Sequence, residues 1–243
     1  MKSNMEHLSP ETTVTQIKGV LFDLDGTLLN TLADLADSMN GALRKCGLPP
    51  HRTDEYRFFV GDGVDMLVRR VIAPVTDETT IARCTAEFLK RYGAGWNRTT
   101  VPYDGITAML DELEARRMFI AVLSNKPHTL TGEAVRHYFA QRHFIVCKGN
   151  GIFPRKPDPE AALYIASVMG ISPSNCLYVG DSGTDMATAQ AAGMPAAGAL
   201  WGFRDEEELR RGGARWIVRH PSEVVEIVKC SNGAESSERP FEK

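Results

Sequence analysis

Short apolar segments alternate with helical segments along most of the chain. Six apolar segments are nearly continuous runs, which is typical of strands buried on both faces of a parallel sheet. These runs occupy residues 19–24, 119–124, 144–148, 176–180, 196–200 and 215–218. The segments between them show helical spacing or helix-boundary residues, as in 106–113, 158–169 and 185–192. This alternation predicts a doubly wound α/β domain.

One long insertion interrupts the alternation after the first strand. The interval between the first strand and Pro102 contains no convincing pair of strands. Apolar residues in the stretches 32–46 and 81–92 each share one helical face instead. We therefore expect an inserted, all-helical cap domain above the edge of the sheet where the strands end. Its hinges are expected near 31–34 and 99–103.

The remaining boundaries follow from the polar character of both ends of the chain. We expect a loosely held N-terminal arm at 1–16, an α/β core made of 17–33 and 103–230, and a polar tail at 231–243. The core is thereby predicted to be a mainly parallel, Rossmann-like sheet into which the cap at 34–102 is inserted.

The composition narrows the range of partners. The 243 residues are 43% hydrophobic and 24% charged, as in an ordinary globular protein. A formal net charge of −3 and a pI of about 6.1 give no reason to expect nucleic acid as a partner. No apolar stretch reaches the ~20 residues that span a bilayer, so no membrane partner is expected. The five cysteines are scattered without CxxC spacing, which favours free thiols in a reducing cytoplasm.

Four polar clusters carry the candidate chemistry. Asp23–Thr27 reads DLDGT after the first strand, and 124–126 reads SNK after the second. Asp181 and Asp185 lie in GDSGTD after a later strand, and Lys156 lies in a loop just before a helix. In an open parallel sheet, ligands bind beyond the carboxyl ends of the strands, so we expect the four clusters to converge.

Convergence would bring together the carboxylates of Asp23, Asp25, Asp181 and Asp185. Such a group is costly unless cations neutralise it. All of the available ligands are oxygens, with no cysteine or histidine among them, and this favours Mg²⁺ over zinc. Lys156 supplies the remaining positive charge.

A pocket with cations and tight turns suits a phosphate group. Ser124 offers a hydroxyl and a backbone N–H at a strand end, where they can hold phosphate oxygens. Asp23 is a candidate nucleophile that would form an aspartyl-phosphate. Asp25 would protonate the leaving oxygen and then activate water, so the two aspartates need different environments.

In order and spacing, the four clusters resemble the motifs of the haloacid dehalogenase-like hydrolase superfamily over roughly residues 18–220. The matching stretches are DLDGTLLNT, LSN, the lysine before PDP, and GDSGTD. The resemblance implies that Asp23 is the nucleophile and that Asp25 is the acid and base. It implies that Ser124 and Lys156 hold the phosphate and stabilise the transition state.

The resemblance also implies a set of ligands for Mg²⁺: the Asp23 carboxylate, the backbone carbonyl of Asp25, and Asp181. Asp185 would act through a water or support another ligand, although it could simply cap a helix that begins near residue 186. Thr27, within the first motif, is a further expected substrate contact.

Asp25 places the chain with the phosphatases and mutases of the superfamily, since the dehalogenases lack an aspartate at that position. The stretches FFVGDGVDMLVRR at 58–70 and LWGFRDEEELRRGGA near the end resemble the phosphoglycolate phosphatases. The backbone N–H groups of Gly61 and Gly63 are candidates for binding a small carboxylate or hydroxyl. An ordinary turn between two helices explains these glycines equally well.

Asn125 and Lys126 are expected to shape the phosphate loop, and Asn125 to contact the substrate, although an ordinary turn explains both. We therefore expect a cytoplasmic, Mg²⁺-dependent phosphatase acting on a small phosphorylated metabolite, as a monomer or a homodimer. A β-phosphoglucomutase-like phosphomutase shares every core motif, and pyrophosphatases and nucleotidases share the architecture. A signalling receiver would need neither a large cap nor an acid at position 25, and a catalytically idle relative is disfavoured by the intact set of acids.

Overall fold

The computed structural model describes residues 16–233. Its strands are, in chain order, β1 (Gly19–Phe22), β2 (Leu29–Asn30), β3 (Val101–Pro102), β4 (Phe119–Pro127), β5 (Val146–Asn150), β6 (Cys176–Gly180), β7 (Ala196–Ala199) and β8 (Trp216–Val218). All but β2 and β3 form one sheet, in which every neighbouring pair is parallel. The six predicted runs are the six strands of this sheet, so the predicted parallel α/β fold is confirmed.

Helices lie on both sides of this sheet and above its edge. They are α1 (Leu32–Lys45), α2 (Tyr56–Phe59), α3 (Gly63–Ile72), α4 (Glu78–Gly95), α5 (Ile106–Ala115), α6 (His128–Tyr138), α7 (Glu160–Met169), α8 (Gly183–Ala191), α9 (Glu206–Arg211) and α10 (Ser222–Gly233). The first four form the inserted helical cap, and the others alternate with the strands of the sheet. The division into core and cap at the residues proposed above stays a prediction.

The strand order places β1 inside the sheet, between β4 and β6. The order is β5-β4-β1-β6-β7-β8, so the chain continues to one side of β1 through β4 and to the other through β6. Val20 and Phe22 pack into a hydrophobic cluster that continues into the cap, whereas Leu21 packs into a second cluster with residues of α7 and α8. β1 is therefore covered on both faces, and the crevice at its carboxyl end is where such sheets bind ligands.

The insertion begins and ends in a strand pair, so the prediction that this interval holds none is wrong. β2 and β3 pair antiparallel, with Leu29 opposite Pro102 and Asn30 opposite Val101. A strand of two residues is too short to show a hydrophobic period, which is why the pattern missed it. The pair joins the two segments in which the hinges were predicted.

Asp34 ties the two linkers between core and cap together. It lies in the first turn of α1, is buried, and accepts hydrogen bonds from the backbone N–H and hydroxyl groups of Thr99 and Thr100 at 2.7–3.0 Å. Burial alone would raise the pKa of Asp34, but these hydrogen bonds outweigh burial and hold the pKa below its ordinary value.

Replacing Asp34 by alanine is expected to lower the free energy of unfolding by about 2–4 kcal/mol, because several donors lose a charged acceptor at once. Chemical denaturation measures the change. Asp37→Ala is the matched control, since Asp37 lies on the same helix but is exposed. Equal stability of the two variants would show that the Asp34 contacts contribute nothing.

Two helices begin at positions that differ from the prediction. α7 begins at Glu160, with Pro159 as its N-cap residue, while the Asp158 carboxylate accepts from the Glu160 N–H at 2.9 Å. α8 begins at Gly183, with Ser182 as its N-cap residue. Both helices begin within two residues of the start of the predicted segments 158–169 and 185–192. They end at Met169, before a left-handed Gly170, and at Ala191, each within one residue of the predicted end.

The C-terminal helix extends beyond the expected end of the core. α10 continues to Gly233, and the side chain of Asn232 accepts from the Ile17 N–H and donates to the Ile17 carbonyl, both at 3.0 Å. Residues 231–233 are thus part of the folded core rather than of a tail. Apart from these and Gln16, the predicted arm and tail lie outside the described residues.

Candidate active site

The side chains of the four motifs meet where β1, β4 and β6 end. Asp23 continues the ladder of β1, its N–H donating to the Val179 carbonyl at 2.9 Å. Leu24 is fully buried in the core, and Asp23 and Asp25 on either side of it line one cavity. The register of β4 is irregular after Leu123, so the chain that follows leaves the regular ladder at this edge. The predicted convergence is what the structure contains.

Asp23 is a buried carboxylate with an unmatched oxygen. Its Oδ1 lies 2.9 Å from Lys156 Nζ, yet no hydrogen bond of normal geometry from the described residues reaches that oxygen. Burial raises the pKa of Asp23 to about 7; Lys156 opposes the rise and Asp185 adds to it. An oxygen in this state can accept a cation or attack an electrophile.

Lys156 is held between two carboxylates. Its ammonium group lies 2.6 Å from Asp185 Oδ1 and is itself buried. Burial would lower the pKa of Lys156, but Asp185 and Asp23 outweigh it and raise the pKa well above the ordinary value. The lysine therefore stays charged beside Asp23. Its neighbour Arg155 points elsewhere and donates to the carbonyl of Asp62.

Asp185 contacts both the start of helix α8 and Lys156. Its Oδ2 accepts from the N–H and the hydroxyl of Ser182, at 3.1 and 2.6 Å, as the third residue of a capping box. It is not the N-cap residue of a helix that begins at 186. Its other oxygen holds Lys156, and Tyr178 donates to that oxygen at 3.3 Å. Asp185 thus anchors both the helix and the lysine.

Asp181 lies in a cradle that only glycine allows. A Cβ at Gly26 would lie 2.3 Å from Asp181 Oδ2, and one at Gly202 would lie 2.3 Å from Asp181 Cβ. Gly26 also has a φ of 94°, which L side chains rarely adopt. The Asp181 carboxylate accepts from the Phe203 N–H at 2.8 Å and from the Thr27 hydroxyl at 3.2 Å.

Thr27 does not lie where a substrate contact was expected. It is fully buried, and its hydroxyl faces Asp181 rather than the cavity. The tight turn after Asp25 points the Thr27 side chain away from the cavity and towards Asp181. This position favours a role for Thr27 in orienting Asp181.

Three carboxylates form a group that fits a hard divalent cation. Ligand oxygens of Asp23, Asp181 and Asp185 all lie within 4.8 Å of one another. Burial raises the pKa of Asp181 well above its ordinary value, and the nearby Asp185 and Asp23 raise it further. Crowded, buried oxygens with raised pKa values are expected of a site that is completed by a cation. The residues present therefore fit Mg²⁺.

This arrangement predicts how Mg²⁺ stabilises the protein at different pH values. A raised carboxylate pKa favours folding below the unfolded-state value near 3.8, and that contribution is lost as the pH rises through about 7. Mg²⁺ binds the deprotonated form. The increase in melting temperature caused by Mg²⁺ should therefore be larger at pH 8 than at pH 5.5. A rise in melting temperature that is equal at the two pH values would contradict the site. So would a rise in the Asp181→Asn variant as large as in the wild-type protein.

Asp25 has a different environment from Asp23. Both of its carboxylate oxygens accept from Lys126 Nζ, at 3.0 and 3.2 Å, and the same ammonium group contacts the hydroxyl of Tyr92 in the cap helix α4. Lys126 is buried; burial would lower its pKa, but Asp25 and Tyr92 raise it above the ordinary value. The sequence predicts only a loop-shaping role for Lys126.

Asn125 links Lys156 to the cap. Its Oδ1 accepts from the Lys156 N–H at 2.9 Å, and its Nδ2 donates to the carbonyls of Gly61 and Lys156 at 3.1 and 3.2 Å. These bonds occupy its amide group, so its position favours an orienting role over the expected substrate contact. Ser124 lines the cavity, with its Oγ accepting from the Lys126 N–H at 3.3 Å.

The cavity above the two aspartates is small and mostly apolar. It has a volume of about 480 Å³, including space open to solvent. The cap contributes its roof, which contains Leu35, Val60, Gly61, Gly63, Val64, Leu67, Phe88 and Tyr92. Both glycines predicted as contacts therefore lie at the cavity, whereas their role stays a prediction.

Side chains from helix α8 and from a core loop hold the cap loop over the cavity. The Asp62 carboxylate accepts from the Thr184 hydroxyl at 2.6 Å, and the Val60 carbonyl accepts from Arg204 at 2.7 Å. In the opposite direction, Arg57 of the cap donates to the Phe203 carbonyl at 2.8 Å. We call these contacts the cap latch. Sequence motifs do not reveal these contacts, because the two residues of each contact lie more than a hundred positions apart in the chain.

Comparison with known proteins identifies the class. The family model described as haloacid dehalogenase-like hydrolase matches residues 20–199, and the chain belongs to this family. The phosphoglycolate phosphatase of Xylella fastidiosa (strain 9a5c) is 35% identical over 190 residues, which are 78% of this chain and 82% of that protein. The N-acetylmuramic acid 6-phosphate phosphatase of Pseudomonas aeruginosa is 31% identical over 215 residues, 88% of this chain and 95% of that protein.

Solved structures agree with this family. The crystal structure of a "predicted phosphoglycolate phosphatase" from Haemophilus somnus 129PT has a TM-score of 0.81 at 28% identity and covers 88% of this chain and 98% of that chain. Within the family, the chain is a phosphoric monoester hydrolase, as Asp25 predicted. The resemblance to phosphoglycolate phosphatases is confirmed. Among residues 16–233, no helix is both long and apolar enough to cross a bilayer.

Proposed function

We propose that the protein is a Mg²⁺-dependent phosphatase that hydrolyses a small phosphomonoester of the 2-phosphoglycolate type through an aspartyl-phosphate. The observation that carries this proposal is the grouping of Asp23, Asp181 and Asp185 within 4.8 Å of one another, with Lys156 between two of them. Asp25 lies at the same cavity but belongs to a separate ion pair. Two aspartates are thereby available for two different tasks.

The reaction divides into two transfers of the phosphoryl group. Asp23 Oδ attacks phosphorus, the bond to the leaving oxygen breaks, and Asp25 gives that oxygen a proton. Asp25, now a base, takes a proton from water, which attacks phosphorus and frees the Asp23 carboxylate. Lys156 and Ser124 stabilise the charge on the phosphoryl oxygens. Asp23, Asp181, the backbone carbonyl of Asp25 and Asp185 would hold Mg²⁺, which would supply further neutralisation of that charge.

The size and lining of the cavity support a small substrate. Of the two relatives described above, one is named for phosphoglycolate and the other for N-acetylmuramic acid 6-phosphate. An amino sugar would bring many polar groups against a roof that is largely aliphatic and aromatic, where they would lack partners. 2-Phosphoglycolate has only two carbon atoms, one of which belongs to its carboxylate, so it meets less of that surface. The phosphomutase, pyrophosphatase and nucleotidase alternatives have no comparable support.

The cap is proposed to close during the reaction and to open for release. Thr184→Val removes the core half of one latch contact and leaves Asp62 with Arg70. Because a hydrogen bond to a charged group contributes about 1.5–3 kcal/mol, the closed-to-open ratio should fall by about 10-fold or more. Faster amide hydrogen exchange in residues 57–63 measures this change.

Thr188→Val is the matched control for the latch. Thr188 also lies in α8 and its hydroxyl also donates a hydrogen bond, but to the Thr184 carbonyl instead of to the cap. If both variants exchange equally fast in 57–63, the contact between Thr184 and Asp62 does not hold the cap.

A phosphate-release screen tests the proposed function. The panel contains 2-phosphoglycolate, N-acetylmuramic acid 6-phosphate, pyrophosphate, nucleotides and sugar phosphates, each with Mg²⁺ and with excess chelator. The expected result is Mg²⁺-dependent release that is fastest with 2-phosphoglycolate. Isomerisation of a hexose phosphate with little free phosphate would favour the mutase instead, and no release from any ester would overturn the proposal.

A further inference from the structure

Lys126 is a cation in an otherwise apolar and acidic cavity. Among the described residues that line the cavity, it is the only one with a positively charged side chain, and the acidic ones are Asp23 and Asp25. Its side chain has a relative exposure of 2%. The phosphoryl group has its own cation in Lys156, which lies beneath Asp23. Lys126 is therefore the cation that the rest of the substrate meets at this cavity.

The hydrogen-bond capacity of Tyr92 is not used up. An ammonium group has three hydrogens, and Lys126 directs them at three acceptors, the two carboxylate oxygens of Asp25 and the Tyr92 hydroxyl. Since Tyr92 accepts from the lysine, its own hydroxyl hydrogen stays available, and no acceptor for it is found among residues 16–233. One available donor and one positive charge thus adjoin the cavity at the same point, and both suit a carboxylate.

Asp25 defines where Lys126 and Tyr92 lie relative to the reacting atoms. Asp25 must contact the leaving oxygen at about 2.7 Å to protonate it. The ammonium nitrogen of Lys126 lies 3.0 Å from the same carboxylate. A group one carbon away from the leaving oxygen can therefore reach Lys126, whereas a group on the far side of a sugar ring cannot.

We propose that Lys126 and Tyr92 form a carboxylate subsite that selects phosphate esters bearing a carboxylate on the carbon next to the ester oxygen. This subsite deepens the proposed function and rests on it. Leu35 and Phe88 line the same cavity, and their low polarity strengthens a charged hydrogen bond while offering nothing to a neutral polar group. A site built to bind a charged group discriminates against analogues that lack that group.

Two substrates that differ only in this group test the subsite. 2-Phosphoglycolate carries the carboxylate, and 2-hydroxyethyl phosphate carries a neutral hydroxymethyl group in its place. The ratio of their kcat/KM values is measured within each variant, so a loss of folded protein cancels. We expect Lys126→Met to lower this ratio by about 10- to 100-fold, Lys126→Arg to retain part of it, and Tyr92→Phe to lower it less.

The contrary results are distinct. If Lys126→Met slows both substrates equally, the lysine only positions Asp25 and the subsite is overturned. The same holds if the wild-type protein does not discriminate between the two esters. If the wild-type protein hydrolyses neither ester, the proposed function fails together with the subsite, and the variants are not needed to show it.

Discussion

Replacing Asp23 by asparagine should abolish phosphate release, with kcat reduced by at least about 10⁴-fold, the scale seen when a covalent nucleophile is removed. Asparagine keeps the size of the side chain but removes the charge that would attack phosphorus. Acid-quenched wild-type protein incubated with radiolabelled substrate should carry labelled acyl phosphate, and the variant should carry none. Normal phosphate release from Asp23→Asn would show that Asp23 is not the nucleophile.

Loss of activity in this variant can be separated from loss of the fold. Asp23 is buried with a raised pKa, so its charged form disfavours folding when no cation is bound. Metal-free Asp23→Asn should therefore melt no lower than the wild-type protein at pH 8. Asp37→Asn is the matched control, because this exposed aspartate lies outside the active-site cavity.

The strands and the motif residues could be predicted because their signals are local. Each strand of the main sheet is a short apolar run, and each motif follows a strand or precedes a helix. The carboxyl ends of parallel strands must meet, so Asp23, Ser124 and Asp181 were expected to converge before any distance was known. Lys156 was expected at the same place because a group of carboxylates needs positive charge.

Contacts between distant segments were not predictable in the same way. Lys126 follows directly after two motif residues, but its partners Tyr92 and Asp25 lie 34 and 101 positions away. Asp34 looks like one polar position on an amphipathic helix until Thr99, 65 positions away, approaches it. The periodicity of hydrophobic residues carries no information about such contacts, because they depend on how the cap packs on the core.

The orientation of polar side chains near the site was equally hidden. Thr27 and Asn125 belong to the motifs, and no sequence pattern separates motif residues that face the cavity from those that face the protein interior. The structure turns the hydroxyl of Thr27 towards Asp181 and the amide of Asn125 towards Lys156. The tight turn at Gly26 and the irregular register of β4 decide these directions, and both are properties of the assembled sheet.

Asp25→Asn is expected to slow turnover by about 100-fold or more, the usual consequence of losing a general acid and base. The loss should depend on the leaving group. An alkyl phosphate needs a proton on its leaving oxygen, so both transfers suffer. p-Nitrophenyl phosphate expels a stable anion without one, and its first transfer should be slowed far less than its second. The aspartyl-phosphate should then accumulate on Asp23.

Accumulation of the acyl phosphate distinguishes an acid and base from a residue that only shapes the site. Acid quenching during turnover of p-nitrophenyl phosphate should trap more phosphorylated protein in Asp25→Asn than in the wild type. A variant that had lost only its geometry, with Lys126 displaced from its partner, would form less of the intermediate as well as hydrolysing it more slowly. Equal losses with both leaving groups and no accumulation would therefore remove Asp25 from the proton transfers, while leaving Asp23 as the nucleophile.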